Sequence, residues 1–248
     1  MVRIAAVGDL HVTTGAAARL RPLYQRAADV ADVLLLAGDL TEDGDTDSAA
    51  EVCDLFGGLD LPVIAILGNH DYDRGEEAMF TEMLTAAGVT VLEGSSTVVD
   101  TAGGQVGIAG VKGFPGGFTG CAAAAHGEQE MKIFARLAET AGGALRDALE
   151  RLDVDLRVVL THYAPIRETL VGEPLELYPF LGSHLLGAAI DGEPAPDRRP
   201  VALALHGHAH YGTEVGATPA GTPVRNVAAP VIGAPFAVYR LPEAIRIG

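Results

Sequence analysis

Val2-Arg3-Ile4-Ala5-Ala6-Val7-Gly8-Asp9-Leu10-His11 is the stretch on which the fold turns. Its first six residues form a short apolar run of the kind seen in strands buried on both faces. The run stops at a glycine and at once delivers a carboxylate and an imidazole. The same pattern recurs twice: Val33–Ala37 leads into Gly38-Asp39, and residues 62–67 lead into Gly68-Asn69-His70-Asp71. Between these runs lie segments with apolar residues at helical spacing. Residues 16–30 carry Leu20, Leu23, Tyr24, Ala27 and Ala28; residues 47–56 predict a second helix and 76–87 a third. Strand and helix in strict alternation predict a parallel sheet with right-handed crossovers.

The rhythm then changes. Residues 89–92, 96–100 and 105–111 are short, glycine-spaced and predict an antiparallel or mixed β section. Residues 127–151 predict a long helix, apolar at Met131, Phe134, Leu137, Ala138, Leu145, Ala148 and Leu149, with Gly142-Gly143 as a candidate break. A buried strand at 156–160 leads into Thr161-His162, and one at 201–205 leads into Gly207-His208-Ala209-His210. Residues 163–200 read as irregular, with a short helix at 183–190. Three short β segments, 214–217, 223–228 and 236–241, finish the chain. No linker, repeat or charge block divides it, so residues 1–248 are expected to form a single domain.

The 248 residues, 48% of them hydrophobic, can bury a sizeable core and exclude a disordered chain. A formal charge of −16 opposes binding to nucleic acid polymers or anionic membranes, which rely on Lys and Arg. The N-terminus enters a strand directly, without a leader pattern, and no apolar run approaches a membrane span. Cys53 and Cys121 lack CxxC spacing and are expected to be small buried hydrophobes. The cytoplasm is the expected compartment.

Five ordered pieces, each placed after a strand, thus offer only oxygen and imidazole donors: Asp9, His11, Asp39, Asn69, His162, His208 and His210. In open α/β sheets, ligands bind beyond the carboxyl ends of strands. This donor set suits Mn, Fe, Co or Zn better than Ca or Mg alone. Seven ligands are too many for one tetrahedral ion and about right for two ions sharing a carboxylate, an arrangement that can clamp a phosphoryl group.

The ordered set Asp9-x-His11, Gly38-Asp39, Gly68-Asn69-His70-Asp71, His162 and Gly207-His208-x-His210 resembles the calcineurin-like metallophosphoesterase family over nearly the whole chain. The resemblance implies an α/β fold, a four-layer α/β/β/α sandwich of two packed mixed sheets. It implies a dinuclear site in which Asp9, His11 and His210 hold one ion, Asn69, His162 and His208 the other, and Asp39 bridges them. His70 would act on the transition state as a non-ligand histidine, and Asp71 would orient His70. A metal-bridging hydroxide would attack phosphorus in line.

Gly38-Asp39-Leu40-Thr41-Glu42 departs from the block of protein Ser/Thr phosphatases, and no tyrosine follows Asp39 as in purple acid phosphatases. What remains is similar to small bacterial phosphoesterases, including the class III cyclic-nucleotide branch. The expected activity is a phosphodiesterase for a small, nucleotide-like substrate. A phosphomonoesterase and a non-catalytic scaffold are the alternatives, and a homodimer is allowed. No G-x-S-x-G elbow points to a serine hydrolase.

Several pieces keep two readings. Residues 110–120 either form a loop beside the metals, with Lys112 as a phosphate contact and Phe114 or Phe118 stacking on a base, or a surface turn. Residues 166–190, with Leu170, Leu175, Leu177, Tyr178, Phe180 and Leu185, are a substrate cap, a dimer contact or a packing insertion. His206 is expected to be structural, and His126 and His184 to be surface or substrate-side residues. Asp43, Asp45 and Asp47 read as a solvated acidic turn, since no Glu completes a calcium loop.

Overall fold

The computed structural model describes residues 1–192 and 199–247, so positions 193–198 of the Pro- and Gly-rich stretch lie outside the described residues. In chain order the elements are β1 (Val2–Val7), α1 (Ala17–Gln25), α2 (Ala27–Val30), β2 (Val33–Ala37), α3 (Thr46–Phe56), β3 (Val63–Ile66), α4 (Glu77–Ala86) and β4 (Thr90–Val91). Next come β5 (Ser95–Thr101), β6 (Gly104–Val111), the small pair β7 (Gly117–Phe118) and β8 (Cys121–Ala122), α5 (Gln129–Glu150) and β9 (Leu156–Thr161). The chain continues through α6 (Tyr178–Leu181), α7 (His184–Asp191), β10 (Val201–His206), β11 (Val215–Ala217), β12 (Pro223–Asn226), α8 (Ala229–Ile232), β13 (Ala237–Leu241) and β14 (Ile245–Arg246).

Two six-stranded mixed sheets result, ordered β14-β13-β1-β2-β3-β4 and β11-β12-β10-β9-β6-β5. The run β1-β2-β3-β4 is parallel, as the alternating sequence predicts. In the second sheet β6, β9, β10 and β12 are parallel, with β5 and β11 antiparallel at the edges. The expected α/β class with two packed sheets is therefore what forms.

The core explains the apolar runs. Val33, Leu34, Leu35, Leu36 and Ala37 are all fully buried, because helices cover one face of β2 and the second sheet covers the other. Val106, Ile108, Val158, Leu160, Leu203 and Leu205 from the second sheet join the same cluster as Ile4, Leu34 and Ile64 from the first. A second cluster lies outside the second sheet, where Leu145, Ala148 and Leu149 of α5 meet Val159, Leu186 and Ala204.

Local departures have local causes. The predicted helix over 16–30 divides at Arg26 into α1 and α2. Asp45 caps α3, accepting N–H bonds from Asp47 and Ser48, which is the work of the acidic turn. Cys121 is exposed and Cys53 half-buried, so neither is the buried hydrophobe expected: the β7–β8 hairpin holds Cys121 at the surface.

Gly142-Gly143 does not break α5, which runs unbroken for 22 residues. Gly142 is needed there, since an added Cβ would lie 3.1 Å from the Leu185 carbonyl oxygen of α7, whereas one on Gly143 meets nothing within 4 Å. Gly143→Ala is expected to stabilise the protein by about 0.5–1 kcal/mol through helix propensity. Gly142→Ala should gain less or lose stability, and urea unfolding of the two variants measures the difference.

Candidate dinuclear metal centre

Three strand ends of one sheet and two of the other meet at a single edge. The Asp39 carbonyl accepts the N–H groups of both Leu10 and His11, at 2.9 and 3.1 Å, so the loops after β1 and β2 are tied together. The loop after β10 joins them, because the His208 N–H donates to the Asp9 carboxylate at 2.9 Å. These tight returns need left-handed backbone. Asp9, His11, Asp39 and His208 have φ of 57, 45, 48 and 70°. Non-glycine residues rarely adopt this region, and each such residue costs on the order of 1–3 kcal/mol. Four of the seven candidate ligands are therefore held under backbone strain, a mark of a site maintained for its geometry.

Glycines allow the approach. An added Cβ on Gly68 would stand 2.1 Å from Asp39 Oδ1, and one on Gly207 would stand 2.3 Å from Asp9 Oδ2. Gly38, at φ 84°, lies against the His162 ring in the same way.

The donors form two neighbouring groups. Asp9, His11 and His210 offer ligand atoms within 4.8 Å of one another, and so do Asp39, His162 and His208. Asn69 joins the second, its Oδ1 2.9 Å from His162 Nε2. Asp39 lies between the groups: its Oδ1 is 3.3 Å from His162 Nε2, and its Oδ2 is 3.9 Å from His11 Nε2. The structure thus brings all seven sequence-predicted donors together.

The polar pairing shows what the donors lack. His162 Nδ1 donates to the Ala37 carbonyl at 2.9 Å, which leaves Nε2 facing two oxygen acceptors, from Asn69 and Asp39. Only a proton or a metal ion between them satisfies all three. Burial works against an imidazolium here, yet the Asp39 charge outweighs it and pushes His162 up to about 9. Burial likewise works against the Asp39 anion, but His162 and the His70 N–H hold its pKa well below the usual carboxylate range. His208 is held down to about 3 by burial and by the charge on His162. His11 has both ring nitrogens buried without a hydrogen-bond partner among the described residues, and burial lowers its pKa. A hydrogen bond to Asp9 raises His210. An orphaned His11 imidazole and three further imidazoles around buried carboxylates fit a pair of transition-metal ions.

His70 and Asp71 part company. The His70 ring stands edge-on to His11, centroids 4.6 Å apart, and its Nδ1 lies 2.6 Å from the Glu42 carbonyl oxygen. That bond leaves Nε2 as the open nitrogen. Asp71 does not orient His70, contrary to expectation. Its buried carboxylate accepts instead from the N–H groups of Leu40, Thr41 and Gly68 and from Thr41 Oγ1, at 2.7–3.1 Å. The short 3₁₀ turn His70–Tyr72 aims the side chain back under the Asp39 loop, away from the imidazole. Burial raises its pKa against those four donors. The orienting group is the Glu42 main chain, and the Glu42 carboxylate also comes within 3.2 Å of His11 Nδ1. Sequence reasoning took Glu42 only as a departure from another family branch; its place three residues after Asp39 was the available signal.

The remaining expectations divide. His206 is buried and structural, with Nδ1 2.7 Å from the Gly207 carbonyl and Nε2 2.8 Å from Thr169 Oγ1. Phe118 is buried, so it cannot stack on a substrate, and Phe114 packs edge-on to Phe134 at 5.3 Å. In the 166–190 segment Leu170 is buried, while Leu175, Leu177 and Phe180 are exposed. His184 is half-buried and its Nδ1 meets the Gly117 carbonyl oxygen, and His126 is exposed.

An Asp71→Asn substitution distinguishes the two accounts of that residue. The amide would point an N–H at existing donors and is expected to cost about 1–3 kcal/mol in urea unfolding. The activity–pH profile should keep its shape; a displaced limb would restore a direct role on His70.

Known proteins share both the motif order and the fold. The calcineurin-like phosphoesterase family matches residues 2–212. A probable cyclic nucleotide phosphodiesterase of Synechococcus sp. is 42% identical over 78 residues, covering 27% of this chain and 31% of that relative. The chain thus spans under a third of the length of this curated relative. Among solved structures, the phosphopantetheinyl hydrolase of Mycobacterium tuberculosis superposes with a TM-score of 0.65 at 18% identity, covering 92% of this chain and 89% of that one. A protein of Thermus thermophilus, TT1561, gives 0.56 at 18% identity, over 99% and 97% of the two chains. The inner membrane complex anchor GAP50 of Plasmodium gives 0.56 at 14%, over 92% and 72%. The structural likenesses speak for the fold, and the match over residues 2–212 speaks for the family: this chain belongs to the calcineurin-like phosphoesterases.

Proposed function

We propose that the chain hydrolyses a phosphodiester in a small, nucleotide-like molecule with the help of two transition-metal ions, Mn, Fe or Zn. The observation that carries this reading is the paired geometry at Asp39. One carboxylate oxygen faces His162 and the other faces His11, so a single buried anion serves two groups of donors. Asp9, His11 and His210 would hold one ion, and Asn69, His162 and His208 the other. Such ions supply Lewis-acid polarisation of phosphoryl oxygens and lower the pKa of water toward ~7.

The chain's own residues do the rest. Asp9 fixes His210 of its own group through Nε2 and His208 of the other group through its N–H, which ties the two groups together. The Ala37 carbonyl fixes the His162 tautomer, the usual service of a carbonyl behind a ligating imidazole. The Glu42 carbonyl holds the His70 Nδ1 proton, so Nε2 is free to stabilise a phosphoryl oxygen or to give a proton to the leaving oxygen. Exposed Tyr211 follows His210 in the chain and the main chain of exposed Phe180 meets His208, so apolar surface for an organic group on the ester adjoins the site. The printed name of the Synechococcus relative supports a diester over a monoester.

Three outcomes test the reading. Metal-stripped protein should cleave bis-p-nitrophenyl phosphate only after Mn²⁺ is added, and should favour it over p-nitrophenyl phosphate; the reverse preference would make it a phosphomonoesterase. His70→Ala should keep its metal and lose about 10²–10⁴-fold in kcat, whereas Asp39→Ala should lose metal, as read by elemental analysis. Metal uptake should release a proton from His162 at any pH below about 9, because a ligating imidazole must be neutral and this one is charged without metal. Apparent Mn²⁺ affinity should therefore climb with pH and level off near 9, and calorimetry in buffers of different ionisation enthalpy counts the proton.

A further inference from the structure

The donors are laid out as a row of facing strand ends. β2 packs against β9 and β3 against β6 across the sandwich, while the loops after β1 and β10 meet at Asp9 and His208. Of these six ends, five carry the candidate ligands. The sixth, β6, stops at Val111, and the next residue is Lys112. Val111 is level with Thr161 in the parallel β6–β9 pair, so Lys112 follows its strand where His162 follows the neighbouring one. The Lys112 carbonyl accepts the N–H groups of His162 and Tyr163 at 3.0 and 3.1 Å, which ties the two positions together.

The side chain is placed for use. Lys112 Nζ lies 4.1 Å from the centroid of Tyr72, the residue after Asn69-His70-Asp71, and 5.9 Å from that of Tyr163. The Tyr163 ring is in turn 4.5 Å from the His208 ring. Two aromatic faces hold the ammonium without neutralising it. Among the described residues no carboxylate forms a salt bridge with it. Burial lowers its pKa, while the charges of Glu93, Asp39 and Glu77 act in the other direction. The row therefore reads as two candidate ion sites followed, one strand spacing of ~4.8 Å further on, by an ammonium that no carboxylate among the described residues bridges. The Glu93 carboxylate does accept the Lys112 main-chain N–H, at 3.0 Å.

We propose that Lys112 is a specificity-determining residue that binds a second phosphate of the substrate, adjoining the scissile one. The inference rests on the phosphoester-hydrolase reading of the same site and adds the class of substrate: a small molecule with neighbouring phosphate groups. His70 leans on His11 at the β1 end of the row, so it serves the reacting phosphoryl group from there. Lys112 is at the opposite, β3–β6 end, beyond Asn69 and His162. A chain with a formal charge of −16 repels polyanions at long range, so a cation held at the site edge is what allows a second phosphate to be welcome.

The test compares ligands that differ by one phosphate. AMP and ADP are titrated calorimetrically into protein kept saturated with Mn²⁺ by an excess of the ion, and both are measured as competitors of bis-p-nitrophenyl phosphate. The unaltered protein should bind ADP about tenfold or more tightly than AMP, as a charge-assisted contact to one added phosphate provides. Lys112→Met should bring the ratio to within about twofold, and Lys112→Arg should keep most of it, because the charge is what the contact uses. Lys112→Gln serves as a second neutral variant, and unchanged melting and Mn²⁺ stoichiometry establish that the variants are folded and loaded. No ADP preference in the unaltered protein, or the same ratio in both neutral variants, overturns the proposal. Binding is read without turnover, so a Lys112-dependent preference in a protein that cleaves neither aryl phosphate would uphold the subsite and defeat the hydrolase reading.

Discussion

The close approach of two loops around one buried carboxylate sets the terms for the whole site. Asp39 lies under the Gly68-Asn69-His70-Asp71 turn with no room for a side chain at Gly68. Its Oδ1 accepts the His70 N–H at 2.9 Å, and its carbonyl accepts two more N–H groups from the loop after β1. Asp71 closes the arrangement from below with four donors from the same two loops. A buried anion that gathers neighbouring backbone in this way is costly unless it is fully paired. Hydrogen bonds supply part of that pairing, and His162 supplies the charge.

Electrostatics then favour cations over any other occupant. Burial pushes His208 and His11 down, while at His162 the charge of Asp39 overcomes burial and pushes the imidazole up. Neighbouring groups with oppositely displaced pKa values mark sites where a protein has arranged charge for chemistry. The proposed chemistry, binding of metal and of a phosphoryl group, agrees with membership of the calcineurin-like phosphoesterases. The backbone strain at Asp9, His11, Asp39 and His208 fits the same purpose, since regular strand ends would aim these side chains apart.

The second sheet contributes more than a wall. β9 and β10 deliver three imidazoles, and β6 delivers Lys112 to the same edge. The segment after β9 turns back over the site, where the Phe180 main chain hydrogen-bonds His208 and Glu173 accepts the Tyr211 N–H at 2.8 Å. Leu170 is drawn into the small cluster with Phe118, Leu181 and Ala209, and this anchors the segment while Leu175, Leu177 and Phe180 stay exposed.

Much of this was legible in the chain. The apolar runs ending in Gly-Asp or Gly-Asn-His, and the helical spacing between them, determined the parallel sheet, because burial on both faces leaves no polar alternation in a strand. Seven oxygen and imidazole donors at strand ends determined that a cluster of candidate metal ligands would gather at the sheet edge, since strand direction carries them there. Other features depended on three-dimensional packing. Asp71 reads as the partner of His70 by adjacency, yet a 3₁₀ turn sends its carboxylate to Thr41 and Gly68 and gives His70 to the Glu42 carbonyl. Gly142-Gly143 reads as a break, yet the close contact of α5 with α7 fills one glycine and keeps the helix whole. Phe114, Phe118 and Lys112 read alike as loop residues, and only the fold buried one ring, packed another and left the ammonium beside the ligands. Local pattern fixes which elements form and where their ends lie, because it acts through burial and backbone preference. Which neighbour a polar side chain takes is settled by distances across the sandwich, and those exist only once both sheets have packed.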